Sequence, residues 1–103
     1  PEFYSMRVAA AFVANDALDV IETARRLIYI FGTEVDSAEA GRLDVDVQAI
    51  DLKLSQVNAV RDVLEQVRRS HEIPGYKIEQ LERDLAAITR RLNNFRTKEI
   101  AGD

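Results

Sequence analysis

Apolar residues recur along this chain at steps of three and four, in three stretches separated by two breaks. The last stretch is the most regular: Ile78, Leu81, Leu85, Ile88, Leu92 and Phe95 follow one another at steps of 3, 4, 3, 4 and 3. That spacing keeps one apolar seam on one side of an α-helix, where a half-buried strand would alternate every second residue. The residues between are mostly Glu, Gln, Arg, Asp, Asn and Thr, so the pattern predicts an amphipathic helix over 76–100, with Gly102 suited to its end. Glu79 and Arg83 stand four apart in the favourable order, a pair worth about 0.2–0.5 kcal/mol.

The middle stretch predicts a helix over 44–70, with Asp44 or Asp46 able to accept from the free amides of its first turn. Val47, Ile50, Leu54 and Val57 form one run, and Val57, Val60, Leu64 and Val67 a second. Two successive steps of three displace the second run sideways, as in a stammer, so this helix is expected to touch two different neighbours. Leu52 and Val63 lie off both runs and widen the face.

The first stretch, 4–31, is the most apolar. Met6, Ala10, Val13, Ala17, Val20, Ala24, Leu27 and Phe31 keep heptad spacing, and Ala11, Ala14, Leu18, Ile21 and Ile28 make a second stripe beside it. So broad an apolar surface implies contact on more than one side. Asn15 and Asp16 can start a fresh helix inside it. Gly32 is expected to end the segment in the left-handed conformation, leaving a connection over 32–43 with room for a helical turn from Asp36, in which Glu39 reaches back as in a capping box. The second break, His71 to Gly75, is short: Pro74 has no N–H to donate and disfavours helix at Ile73. A short break between long helices favours an antiparallel hairpin.

Three segments of similar length, each about 37–44 Å at 1.5 Å per residue, predict an all-α chain: an antiparallel up-down-up bundle or coiled-coil hairpin, open to completion by a second chain. Composition agrees. The 103 residues are 47% hydrophobic and 31% charged with only 4 Gly and 2 Pro, too few turn formers for a strand-rich domain. The length suits one domain over 1–103. Pro1, Glu2 and Phe3 read as a cloning remnant, and the chain as a domain of a longer protein.

The absence of cysteine removes disulfides, zinc–thiolate clusters and thiol nucleophiles, and fits a reducing, cytoplasmic setting. No stretch of 18 or more residues is uninterruptedly apolar, as a spanning helix would need. Net charge is −4, made up of −6 through residue 66 and +2 beyond it. Glu34, Asp36, Glu39, Asp44, Asp46 and Asp51 stand against Arg42 alone in the most acidic stretch. An acidic chain is a poor binder of phosphate backbones, so nucleic acid is not expected as a partner. Acidic and basic ends suit antiparallel packing or head-to-tail contact between chains.

The chemistry that small helical bundles support finds little purchase. His71 is the single histidine. Phosphotransfer bundles carry theirs in mid-helix followed by Lys and Gly, where His71-Glu72-Ile73-Pro74-Gly75 departs at both the lysine and the helix. His71 suits a helix C-terminus instead. Asp44-x-Asp46 resembles the start of a calcium loop, but Ala49 and Ser55 stand where the loop needs Gly and Glu. One histidine cannot make a di-iron site. Helical chorismate mutases bury several cations; Arg61 and Arg68 reach core positions in one register of the middle helix and its flank in the other. Arg68, Arg69, Arg90, Arg91, Arg96 and Lys98 alternate with acids, as on a solvated helix face. No enzyme activity, metal or cofactor is expected.

The order of an Ala-rich first helix, carrying Val8-Ala-Ala-Ala-Phe-Val13, then a linker, then an amphipathic helix with Val57 to Val67, resembles the helical N-terminal signalling domains of fungal and plant immune receptors. It contains no diagnostic motif. The seams themselves point to a non-catalytic interaction or oligomerisation module, self-associating or binding a partner helix through Ile78, Leu81, Leu85, Ile88, Leu92 and Phe95, with Val13, Val20 and Leu27 behind them. The alternative is a membrane-engaging signalling bundle that releases its apolar first helix, against which Asp16, Asp19 and Glu22 stand as poor companions for anionic lipid.

Overall fold

The computed structural model describes residues 17–71 and 73–101. Three α-helices follow one another: α1 (Ala17–Glu39), α2 (Val47–Ser70) and α3 (Gly75–Ile100). Their 23, 24 and 26 residues make rods of similar length, about 34–39 Å. Cross-helix ion pairs fix their directions. Arg68 meets Glu82 and Arg96 meets Asp51, so α2 and α3 run antiparallel, while Arg91 near the end of α3 meets Asp36 and Glu39 near the end of α1. The result is the expected up-down-up bundle.

One expectation fails. Gly32 does not end α1; the helix runs through it to Glu39, and the left-handed residue is Gly41, at φ 76°. There the Gly41 amide donates to Ala38 (3.1 Å) and the Arg42 amide to Ser37 (2.9 Å), the paired closure of a Schellman end. The apolar stripe explains the extension. Ala24, Ile28, Phe31, Val35 and Ala38 continue at helical spacing across Gly32, and Phe31 and Val35 are buried. Burying two such side chains stabilises by about 3–6 kcal/mol, against about 1 kcal/mol for glycine in mid-helix. The helical turn expected from Asp36 is therefore the end of α1, and Glu39 is an ion-pair partner of Arg91, not a cap.

The other boundaries hold within a few residues. Asp46, not Asp44, caps α2, its carboxylate accepting from the Ala49 amide at 2.9 Å. His71 closes α2 in the left-handed conformation (φ 58°), its amide donating to Arg68. Pro74 then precedes α3 without a side-chain cap. The expected Glu79–Arg83 pair is not formed: Glu79 lies instead beside Arg68 of α2, 4.0 Å away, and Arg83 keeps an intrahelical partner in Gln80.

The core comprises Val20, Ile21, Ala24, Phe31 and Val35 from α1, Ile50, Val57, Val60 and Leu64 from α2, Ile73 from the hairpin, and Ile78, Leu81, Leu85, Ile88 and Leu92 from α3. Residues 1–16 lie outside the described residues, and with them the stripe positions Met6, Ala10 and Val13 and the restart at Asn15–Asp16.

Gly32 offers a direct check. An added Cβ there would meet nothing within 4 Å, so Gly32→Ala should raise stability by about 0.5–1 kcal/mol. Gly41→Ala, at positive φ, should lower it by about 1 kcal/mol. Urea denaturation of the two variants decides; a destabilised Gly32→Ala would return the helix end to Gly32.

Candidate interaction surface

The seam residues end up inside the chain. Ile78 and Leu85 are fully buried, and Leu81, Ile88, Leu92 and Val20 are at most 6% exposed. Phe95 and Leu27 are half-buried against the same cluster; Val13 lies outside the described residues. The other two rods are long enough to bury the seam of α3 along its length, so it is spent on α1 and α2 of the same chain.

What the described helices leave uncovered among themselves lies on the opposite side. Of the three helix pairs, α1–α2 is the most loosely packed. Two stripes flank its groove. On α1, Thr23, Leu27, Ile30 and Glu34 follow at helical spacing; on α2, Leu52, Gln56, Ala59 and Val63 do the same. Leu27, Leu52, Ala59 and Val63 are half-buried and Ile30 is 49% exposed, so the groove presents apolar carbon to water.

At the end near residues 40–46 the groove deepens into a cleft of about 370 Å³, walled by Val35, Ala38, Leu43, Val45, Leu52 and Phe95. Lys53 and Glu34 guard it. The Lys53 ammonium donates to both Glu34 carboxylate oxygens at 2.9 Å and sits 5.3 Å from the centre of the Phe31 ring. This arrangement clips α1 to α2 and holds the lysine stem against apolar surface. Gln56, only 7% exposed, is the buried polar residue of the cleft. No fully buried side-chain nitrogen or oxygen among the described residues lacks a partner. Around the mouth stand Asp44, exposed, and Asp46 and Asp51 just outside, so the rim is acidic.

The remaining polar groups hold the helices in register. Arg91 bridges Asp36 and Glu39, the latter at 2.5 Å, and Arg96 donates to Asp51 at 2.6 Å. Arg68 lies on the flank of α2, with Glu82, Glu65 and Glu79 about it, and Arg61 is exposed, so neither is a core cation. These contacts raise the pKa of Arg68, through Glu82, and of Arg96, through Asp51. The Arg91 hydrogen bond holds Glu39 below its ordinary value of 4.5. His71 is exposed in the α2–α3 hairpin, at the far end of the bundle from the cleft. No group of three or more metal-ligating side chains gathers among the described residues, and no helix there is long and apolar enough to cross a membrane.

Sequence reasoning found Leu52 and Val63 but gave them no partner, and passed over Lys53, Gln56, Leu43 and Val45. A signal was present: Val45, Ala49, Leu52, Gln56, Ala59 and Val63 keep steps of 4, 3, 4, 3 and 4, a second stripe beside the core. Gln56 inside it hides the stripe from a count of apolar residues. Comparison with known proteins finds no family model, no curated protein and no solved structure that matches this chain.

Glu39 supplies a pH test. Its carboxylate is favoured in the folded state, so its contribution to stability is whole above pH 4.5 and is lost as pH falls through its lowered folded value. Carboxyl NMR should show Glu39 titrating below its ordinary value, and Arg91→Gln should bring it back. A Glu39 that titrates identically in both proteins would remove the Arg91 bridge from solution.

Proposed function

We propose that this chain is a non-catalytic interaction module whose binding surface is the α1–α2 cleft, and that its partner is an amphipathic helix with an apolar ridge flanked by Lys and Arg. The cleft carries the reading. It is an apolar concavity, with few polar groups, left open by a bundle that has already buried its own seam. Pockets of a few hundred Å³ lined this way receive one or two large side chains, and an apolar ridge laid into a groove is a recurrent mode of helix recognition. The rim selects charge: Asp44 and Asp46, beside an Asp51 already paired with Arg96, favour a basic flank and repel an acidic one. A chain without cysteine and with this much charge suits a cytoplasmic module.

The α3 seam takes no direct part in binding. Charged substitution at Leu85 or Leu92 opens the core and unfolds the chain, and is not a clean test of association. Leu52→Glu is better, because Leu52 is a half-buried wall of the cleft.

Two measurements test the reading. Light scattering coupled to size exclusion, over a wide concentration range, should give the 11.6 kDa monomer. A peptide helix with leucines at a and d and Lys or Arg flanks should then shift the amides of Leu43, Leu52 and Gln56. The same peptide with Glu flanks should not, and Leu52→Glu should abolish the response with unchanged helical circular dichroism. A concentration-dependent dimer lost in Leu52→Glu would make the occupant a second copy of this chain; no response to either peptide would end the proposal.

A further inference from the structure

Four polar side chains line the cleft: Glu34, Asp44, Lys53 and Gln56. Glu34 and Lys53 are bonded to each other, and Asp44 is exposed at the mouth, where water solvates it. Gln56 differs. It is more than nine-tenths buried, at 7% exposed, yet its carboxamide makes no hydrogen bond to any described residue. No fully buried side-chain nitrogen or oxygen among the described residues lacks a partner, so this amide is not sealed in; the open space beside Gln56 is the cleft it lines. A primary amide carries two N–H donors and an acceptor oxygen. An apolar wall has no use for them: Leu52, Ala59 and Val63, the neighbouring positions of the same stripe, are all apolar.

Building on the cleft's reading as a helix-binding surface, we propose that Gln56 sets its specificity: the helix it receives carries one carboxamide side chain, Asn or Gln, within its apolar ridge. A wholly apolar ridge laid across the cleft removes the remaining water from the Gln56 amide and returns no hydrogen bond, which weakens binding by about 5- to 150-fold. A carboxamide opposite restores two bonds, each amide donating an N–H to the carbonyl oxygen of the other. A hydroxyl has one proton to donate against the amide's two. Charged side chains match less well. A carboxylate meets Glu34 and Asp44, and a cation must shed its water in a mostly apolar space where Lys53 already neutralises Glu34. One polar pair within an apolar seam also fixes register, since sliding the partner by a turn buries both amides unpaired. Leu52 stands one turn before Gln56 on the same face, so a partner leucine one turn from the carboxamide meets it.

The test is a panel of basic-flanked peptide helices: a parent with leucine throughout its ridge, and variants in which one ridge leucine at a time becomes Asn or Gln. Calorimetric titration measures their binding to the full chain and to Gln56→Met, which keeps the length of the side chain without its amide. Circular dichroism checks that the variant stays helical. A carboxamide at one ridge position should bind the unaltered chain about tenfold more tightly than the parent, and Gln56→Met should reverse that order. A second readout needs no variant: the Gln56 side-chain amide protons should shift, and exchange more slowly with water, in that complex and not in the parent's. Binding of the parent with no gain from a carboxamide at any position overturns the specificity and leaves the helix-binding surface standing, with Gln56 an amide solvated in an open site. An equal gain on Gln56→Met overturns it too, because the gain then owes nothing to Gln56. Absence of binding by every peptide, parent included, overturns both the specificity and the helix-binding surface itself.

Discussion

Everything in this bundle follows from the seam of α3. Ile78, Leu81, Leu85, Ile88 and Leu92 are buried in one continuous cluster with α1 on one side and α2 on the other. Because α3 is the shared partner, α1 and α2 are held chiefly through it and less by each other. Two rods gripped by a third from below stand slightly apart above it, and the gap between them is the groove. The open surface of the molecule is thus a consequence of where its most regular helix puts its apolar side chains.

Charge completes the same geometry without supplying most of its stability. The acidic stretch over residues 34–51 and the basic residues near the end of α3 meet inside one chain, at Asp36, Glu39 and Asp51 against Arg91 and Arg96. All of these side chains are at least a third exposed to water, where such pairs contribute about 0–1 kcal/mol each. A core leucine contributes several times as much. The value of the pairs lies in discrimination. With Arg68 on Glu82 at one end and Arg96 on Asp51 at the other, a slide of α3 by one turn along α2 would break both. The charge asymmetry, which suited either antiparallel packing or contact between chains, is largely satisfied within one chain.

Much of the fold was legible because period is a strong signal. A heptad over six positions survives any uncertainty about single residues, and α3 was found to within a residue at its start, α2 to within three. Gly32 shows where local chemistry misleads. Glycine is a good C-terminal residue, but the apolar stripe continued beyond it through Phe31, Val35 and Ala38, and burial outweighed propensity. The role of the seam was harder to read. Periodicity says that a face is buried and is silent on whether the cover comes from the same chain or another; that depends on whether the other helices are long enough to supply it, as α1 and α2 are here. The groove was least legible, because its wall on α2 is interrupted by Gln56 and guarded by Lys53, polar residues that break an apolar count yet sit well in a half-open site.

Those two residues also explain why the groove can exist at all. A wholly apolar α2 face would draw α1 closer and close the gap, or would associate without selectivity. Lys53 instead places a fixed charge between the helices, satisfied by Glu34 on one side and the Phe31 ring on another, and Gln56 keeps a buried amide where a leucine would add another contact to the core. Each gives up some burial on the α1–α2 side, and that loss is tolerable because α3 already holds both helices. The tightly packed half of the bundle therefore permits the looser half: a core held through α3 does without a close α1–α2 contact among the described helices.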